Sequence, residues 1–472
     1  LWGRDAVECE AILTARHGQK ARAACIGTAG EKGSLIAGIV NDRGRIAARS
    51  GLGAVMGSKN LKAVVLNGSQ PVRSAQPEEI RRLSKAIAGL MPKGEPPLRS
   101  WMLPLAGLLM AKSPTIFRKD GLMTLPPMRR WGTSSGNEVA VKTGDAPFRN
   151  WRGTPAGYRS AAISADALIR TERKKYHCYA CPLGCGGIHT LEGEYPETHR
   201  PEYETIAALG PLLGNTDLDT IFYLNERFNR AGMDSISAGA VLAFAVNCFE
   251  AGILTAQDTG GLNLRWGNAA AIRALAEQMI QREGLGALLA DGVQRAAERI
   301  GRGSRQFAMH IGGQELPMHD PKLQPEYYTT YKLDPTPARH TQYEGNKRLG
   351  KIPPAPADNK VYTGRGEHHK AASEYMHVVN AGGMCQFIMM AANTANMPTW
   401  FNAVTGWDMD LDEMMQVGER IANLRMAYEV REGGNPRKRY VPPRVTGEST
   451  EATHSGPLQG IKLEPRRSRS IS

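Results

Sequence analysis

The chain has 472 residues, of which 41% are hydrophobic, 22% charged and 6% aromatic. That length exceeds what one hydrophobic core serves and that composition excludes general disorder, so a multidomain globular enzyme is expected. No apolar run has the length of a bilayer span, Trp101 to Met110 being short and broken by Pro104, and the +13 net charge is scattered without interleaved aromatics, which argues against nucleic acid and for an acidic protein partner.

Residues 1 to about 70 alternate short apolar runs with glycine turns. Ala24 to Gly30 and Ser34 to Val40 are such runs and Leu61 to Leu66 reads as a strand, which predicts an α+β start. Pro77-Glu78-Glu79-Ile80 opens a helix with acidic residues in its first turn. Met91 to Asn150, rich in Pro, Gly and Arg, predicts a long irregular excursion. Helical spacing recurs over Asp217 to Asn229, Ala238 to Ala251 and Ala269 to Ile300. Residues 309 to 370 read as Pro- and His-rich loop, and a final helical block runs from about Ala371 to Glu429. After Arg431 the polar, basic sequence predicts an ill-ordered end. The expected fold is a partial α+β N-terminal domain over residues 1–75, followed by two mainly α-helical domains over residues 76–308 and 309–472.

Seven cysteines, an odd number in a long chain, argue against a disulfide framework and for a reducing compartment, hence a cytoplasmic location. Three of them form Cys178-Tyr-Ala-Cys181-Pro-Leu-Gly-Cys185. Thiolates are soft donors, and three on one tight loop can hold three corners of an iron–sulfur cube. The fourth ligand must come from elsewhere, and Cys385, following Gly382-Gly383, is the candidate. A Cys3His zinc site using His177 or His189 is the competing reading, although structural zinc sites favour paired C-x2-C spacings. Cys9, Cys25 and Cys248 read as small buried hydrophobes.

Arg49-Ser50-Gly51-Leu52-Gly53 and the residues up to Ala63 put glycines behind an arginine, a pattern suited to a phosphate-bearing cofactor or to a structural turn. Together with Ile26-Gly-Thr-Ala-Gly-Glu31, the segment resembles the pterin-binding region of the aldehyde ferredoxin oxidoreductase family. In that family the cysteine run and a distant fourth cysteine hold a four-iron cluster, and two D-x-x-G-L-(D/C) segments bind two pterins. The corresponding segments here are Asn229-Arg-Ala-Gly-Met233-Asp234 and Asn380-Ala-Gly-Gly-Met384-Cys385. Both carry Asn for the leading Asp and Met for Leu, and so lack a carboxylate that would accept two donors.

The resemblance, which covers the chain to about Gly433, implies tungsten (or molybdenum) held by two pterins, with Mg2+ a candidate bridge between their phosphates and a [4Fe-4S] cluster as the electron exit. It places Cys178, Cys181, Cys185 and Cys385 on the cluster, and Arg49, Ser50, Gly51, Leu52, Gly53, Asn229, Met233, Asp234, Asn380 and Met384 on the pterins. Acid–base roles fall to Glu204 and His340, with Glu202 and Arg339 as competitors for them. Glu204 as a helix-start carboxylate and His340 as a satisfied loop histidine are the structural alternatives, and His368, His369 and His377 read as surface residues. The opening part of the N-terminal domain and a C-terminal tail are expected to lie outside this chain.

The implied activity is aldehyde oxidation to carboxylic acid, with electrons passed to ferredoxin or a ferredoxin-like subunit, in a homodimer or hetero-oligomer. The alternatives are an aryl-CoA-reducing catalytic subunit of the class II benzoyl-CoA reductase type, which the basic stretch Met91 to Trp131 would suit, and a non-catalytic iron–sulfur subunit.

Overall fold

In the computed structural model, β1 (Arg22–Cys25) lies between β2 (Ile39–Asn41) and β4 (Ala63–Leu66), and β3 (Arg45–Ala47) flanks β2, all antiparallel. The structure describes residues 1–92, 94, 99–105, 125–153, 158–191, 195, 197–343, 364–389, 394–448 and 457–463. Helix Ala6–His17 lays Ala6, Cys9 and Leu13, spaced three and four apart, against Ala23, Cys25 and Val40 of this sheet. Cys9, Cys25 and Cys248 are fully buried, as their apolar surroundings suggest.

Glycines let the next helix dock by its backbone. A Cβ at Gly57 of helix Leu52–Ser58 would stand 1.9 Å from the carbonyl oxygen of Gly30, and one at Gly53 would stand 2.4 Å from that of Gly38. Because both opposing atoms are backbone, Gly57→Ala is expected to cost about 1–3 kcal/mol. Urea unfolding checks this, and an unchanged midpoint would show that the two backbones part freely.

The middle of the chain is mainly helical. Helix Ser235–Glu250 is apolar all round and buried from Ile236 to Cys248, so other helices must surround it. Helix Tyr203–Leu209 approaches it closely, since a Cβ at Gly239 would meet the Ala208 carbonyl oxygen at 2.7 Å. A second sheet, in the order β5 (Glu172–Tyr176), β6 (Gly186–Thr190), β7 (Glu197–His199), lies beside helix Leu218–Ala231. Toward the C-terminus, helix Arg365–Ala381 packs on helix Leu411–Arg431 around Tyr375, Met376, Val379 and Met414. Gly418 brings these two backbones together, a Cβ there meeting the Glu374 carbonyl oxygen at 2.3 Å. Among the described residues no helix is long and apolar enough to cross a membrane.

Several expectations are corrected. The stretch read as irregular from Met91 to Asn150 contains helices Leu125–Trp131 and Asn137–Thr143, although residues 93, 95–98 and 106–124 lie outside the described residues. The loop expected over 309–370 begins with a hairpin of β8 (His310–Ile311) and β9 (Gln314–Glu315) and continues into helix Pro325–Leu333. The helical run Ala269 to Ile300 is three helices, broken where Arg282 takes a left-handed conformation and at Gly292. From Glu432 to Glu448 the chain is tied back, because Arg444 is buried and donates to the carbonyl oxygen of Asn150 (2.8 Å) and to Asn247 Oδ1 (2.7 Å), while residues 449–456 and 464–472 lie outside the described residues. Periodicity cannot reveal a segment anchored by single contacts to distant residues, as the bonds of Arg439 to the carbonyl oxygens of Lys332 and Asp334 also show. His368 and His377, expected at the surface, are buried in the 365–381 helix.

Candidate active site

The β5–β6 connection carries Cys178, Cys181 and Cys185. Its backbone is held by cations: Arg129 donates to the carbonyl oxygens of Pro182 (3.2 Å) and Leu183 (3.3 Å), and Arg200 to that of Cys185. Part of the local positive charge is thus committed to shaping the loop. Cys385 arrives from the turn after helix Arg365–Ala381, with the backbone N–H groups of Phe387 and Ile388 directed at its sulfur. Phe387 and Ile388 pack in the same apolar cluster as Leu183, Cys181 and Cys185, which brings the fourth thiol to the other three. Burial, and then Glu202 and Cys385, push the Cys185 thiol up to about 12. Partial desolvation of the sulfur likewise raises Cys178 and Cys385, although both residues are exposed at the surface. Four neighbouring thiols, Cys178 and Cys385 exposed and Cys181 and Cys185 half-buried, suit a centre whose own positive charge holds them ionised. The histidines of the competing zinc reading have other partners. His189 Nδ1 lies 3.0 Å from Thr171 Oγ1 with its ring on Phe222, and His177 Nδ1 lies 3.1 Å from the Cys181 carbonyl oxygen.

In the glycine-rich segment, Arg49 is buried and tied to protein atoms. It donates to the Ala338 carbonyl oxygen (2.8 Å) and to that of Glu315, and its Nε lies 3.3 Å from Asp234 Oδ2. Asp234 also caps helix Ser235–Glu250, accepting from Ile236 N–H at 3.0 Å and from the Ser237 hydroxyl at 2.7 Å. Arg49 therefore joins the N-terminal sheet region, a helix start and the 315–338 segment. Ser50 and Asp234 line a cavity of about 400 Å³ together with Ser237, Gln314 and Thr336. Gly51 has φ +70 and a Cβ there would meet the Leu35 carbonyl oxygen at 2.7 Å, so it shapes the turn, while Leu52 is exposed. Gly53 is enclosed by backbone. Met233 is buried and bridges Ala37, and Asn229 lies beside Gly44. In the matching segment, Asn380 donates to Gln342 Oε1 at 3.0 Å, and so to the turn that carries His340, and Met384 packs at the edge of the C-terminal core. A polar, roomy cavity beside a buried arginine fits a pterin of the implied kind.

Glu204 and His340 come together. Glu204 Oε1 lies 3.5 Å from His340 Nδ1 and 3.4 Å from His319 Nε2, and both Glu204 Oε1 and His340 Nδ1 are buried without a hydrogen bond. Although Glu204 sits in the first turn of its helix, it does not cap it; its Oε2 accepts from Met318 N–H at 2.8 Å. Glu202 points elsewhere, to Arg45 (2.7 Å) and Thr133, beside the cysteine loop. Burial raises the Glu204 pKa, opposed by His319, Met318 N–H and Arg49. Burial also drives His340 well below its usual value, reinforced by His319, Arg49 and Arg339, so it is neutral. His319, by contrast, overcomes burial through Asp145 and Glu204 and is pushed up to about 9. His319 and Asp145 were not legible as site residues. Met318-His-Asp-Pro321 offered a signal, but the partner of His319 is 174 residues away.

Residues 1–68 match the N-terminal domain of aldehyde ferredoxin oxidoreductase, and residues 112–470 match its domains 2 and 3. The chain belongs to the aldehyde ferredoxin oxidoreductase family. It is accordingly an oxidoreductase, and the family match runs past Gly433, where the motifs alone suggested a stop. The chain is 30% identical over 465 residues to the tungsten-containing aldehyde ferredoxin oxidoreductase of Pyrococcus horikoshii, which covers 98% of this chain and 71% of that protein. It is 31% identical over 311 residues to the WOR-like subunit of an aliphatic sulfonate oxidoreductase of Pyrococcus furiosus, covering 64% of this chain and 45% of the other. Its fold is similar, with a TM-score of 0.74 and 22% identity, to a chain of the active-site complex of benzoyl-coenzyme A reductase solved with 1,5-dienoyl-CoA, over 94% of this chain and 70% of that one.

Proposed function

We propose that this chain is the catalytic part of a tungsten-bis-pterin enzyme that oxidises aldehydes to carboxylic acids and passes the electrons through a [4Fe-4S] cluster to an acidic ferredoxin or ferredoxin-like subunit. The observation that carries the reading is the buried convergence of Glu204 Oε1 and His340 Nδ1 without hydrogen-bond partners, with the charge of Arg49 acting on both. Tungsten, or molybdenum in its place, would supply the two-electron chemistry. Arg49, Ser50, Gly51, Leu52 and Gly53, with Asn229, Met233 and Asp234 on one side and Asn380 and Met384 on the other, would hold the pterins, with Mg2+ between their phosphates. Cys178, Cys181, Cys185 and Cys385 would hold the cluster. Aldehyde and water become carboxylate with the release of two electrons and three protons. Glu204 Oε1 accepts a proton from the attacking water or the aldehyde hydrate, and neutral His340 donates a hydrogen bond to the substrate oxygen as charge builds on it.

The test is dye-linked aldehyde oxidation by purified protein with tungsten, molybdenum and iron quantified in the same sample. Aldehyde turnover with both kinds of metal supports the reading. Iron alone, or consumption of aryl-CoA without aldehyde oxidation, overturns it. Partner docking is expected beside the cluster loop, where Tyr179 is fully exposed and Arg170, Arg173 and Lys174 face solvent. Binding of an acidic ferredoxin should weaken steeply as ionic strength rises, since exposed charges are screened over roughly 10 Å at about 0.1 M. Titration calorimetry at several salt concentrations checks this, and salt-independent affinity would remove the electrostatic docking.

A further inference from the structure

Next to the proposed base lies a pair of residues for which the reading above has no role. Asp145 follows the left-handed Gly144 that ends helix Asn137–Thr143. Its Oδ2 lies 2.7 Å from His319 Nδ1, and its other oxygen accepts from Asp320 N–H at 3.1 Å. The Asp145 carbonyl oxygen accepts from that same Asp320 N–H at 2.8 Å. Asp145 is thereby fixed to the loop that bears His319. The imidazole is further confined by rings, with centroids at 4.9 Å for Tyr203, 5.6 Å for Tyr327 and 5.4 Å for His340. Held by Nδ1 on one side, the ring can only present Nε2 to Glu204 Oε1, 3.4 Å away.

We propose that Asp145 is a positioning residue: it holds His319 as an imidazolium turned toward Glu204, and this fixed cation keeps the buried Glu204 a carboxylate able to accept a proton. The inference rests on the assignment of Glu204 as base. Desolvation by itself favours a neutral carboxyl, and an opposite charge within a few ångströms reverses that preference. An imidazolium between two carboxylates has a donor for each, and neutral His340 adds no competing charge. The charged and titratable groups facing His319 are Asp145, Glu204, Tyr203, Tyr327, Tyr331 and His340, with Arg49 acting on Glu204 and His340 from the glycine-rich segment. Arg49 is bound to carbonyl oxygens and Asp234. Fixed in this way, it contributes the same to Glu204 when the imidazolium is lost and does not replace the donor at Nε2.

The sign follows. In Asp145→Asn, His319 gives up its proton at lower pH, Glu204 loses its cation and protonates more readily, and the acid limb of kcat/KM for aldehyde should move up by about one pH unit. Activity should recover on the alkaline side with KM little changed, which a merely misfolded loop would not do. Asn keeps an oxygen for Asp320 N–H, and Asp145→Glu, which keeps the charge, should restore the profile. Independently of turnover, NMR titration of the His319 ring, assigned through His319→Gln, should show it protonated at pH 8 in the unsubstituted protein and neutral there in Asp145→Asn. A His319 ring already neutral at pH 7 in the unsubstituted protein overturns the proposal without any substitution at Asp145, as does an Asp145→Asn protein with an unchanged titration and profile. If the ring titration shifts as expected but Glu204→Gln keeps full activity, the Asp145–His319 assignment stands and the choice of Glu204 as base fails.

Discussion

Glu204→Gln should lower turnover by about a hundredfold or more, while tungsten and iron content match those of the unsubstituted protein. The structural basis for so clean a separation is that the two carboxylate oxygens have different tasks. Oε2 accepts from Met318 N–H, a bond that the glutamine side-chain oxygen can keep. Oε1 faces His319 and His340 without a hydrogen bond, and it is the oxygen whose proton-accepting capacity an amide removes. A hundredfold loss corresponds to about 2.7 kcal/mol of transition-state stabilisation, within what one acid–base group supplies. A role in packing predicts the reverse pattern, with a small loss of stability and a nearly normal rate. The measurement is dye-linked aldehyde oxidation across pH, with metals determined on the same preparation. Near-normal turnover would move proton acceptance away from Glu204, and Glu202 is a poor substitute because it is bonded to Arg45 and Thr133.

Loss of any one cluster thiol should be still more complete. Cys178→Ala, Cys181→Ala, Cys185→Ala and Cys385→Ala are each expected to abolish the four-iron signal in electron paramagnetic resonance after reduction, because a cube with three thiolates loses an iron or fails to assemble. Cys248→Ala is the matched control: that thiol is fully buried in the helical core among apolar side chains and is not part of the cluster that gathers the cysteine loop. The most informative variant is Cys385→Ala, since this residue comes from a distant segment and is carried to the others by the cluster that Phe387 and Ile388 share with Leu183. A four-iron signal that survives Cys385→Ala and disappears in Cys248→Ala would sink the assignment of the fourth ligand, and with it the pairing of the Asn229–Asp234 and Asn380–Cys385 segments.

The cysteine run, the glycine-rich segment and the helical periodicity of the middle of the chain are determined by the sequence itself, because each is a contact or repeat within one or two turns of backbone. Cys178 to Cys185 sit on one hairpin, and the all-apolar face of Ser235 to Glu250 requires a buried helix whatever surrounds it. The same holds for family membership, which those motifs suffice to indicate. What only the tertiary structure decided are the encounters between distant segments. His319 meets Asp145 across 174 residues and Glu204 meets Met318 across 114, distances over which no periodicity carries information. Arg49 is a further case: its guanidinium is paired with Asp234 and with the carbonyl oxygens of Glu315 and Ala338, the last 289 residues away, since a buried cation must be paired where it lies. The choice between Glu202 and Glu204 was undecidable in sequence for a related reason. Two residues apart at a helix start, they point to different sides, one to Arg45 and the cysteine loop and the other to the histidines, and only the packing of helix Tyr203–Leu209 says which is which.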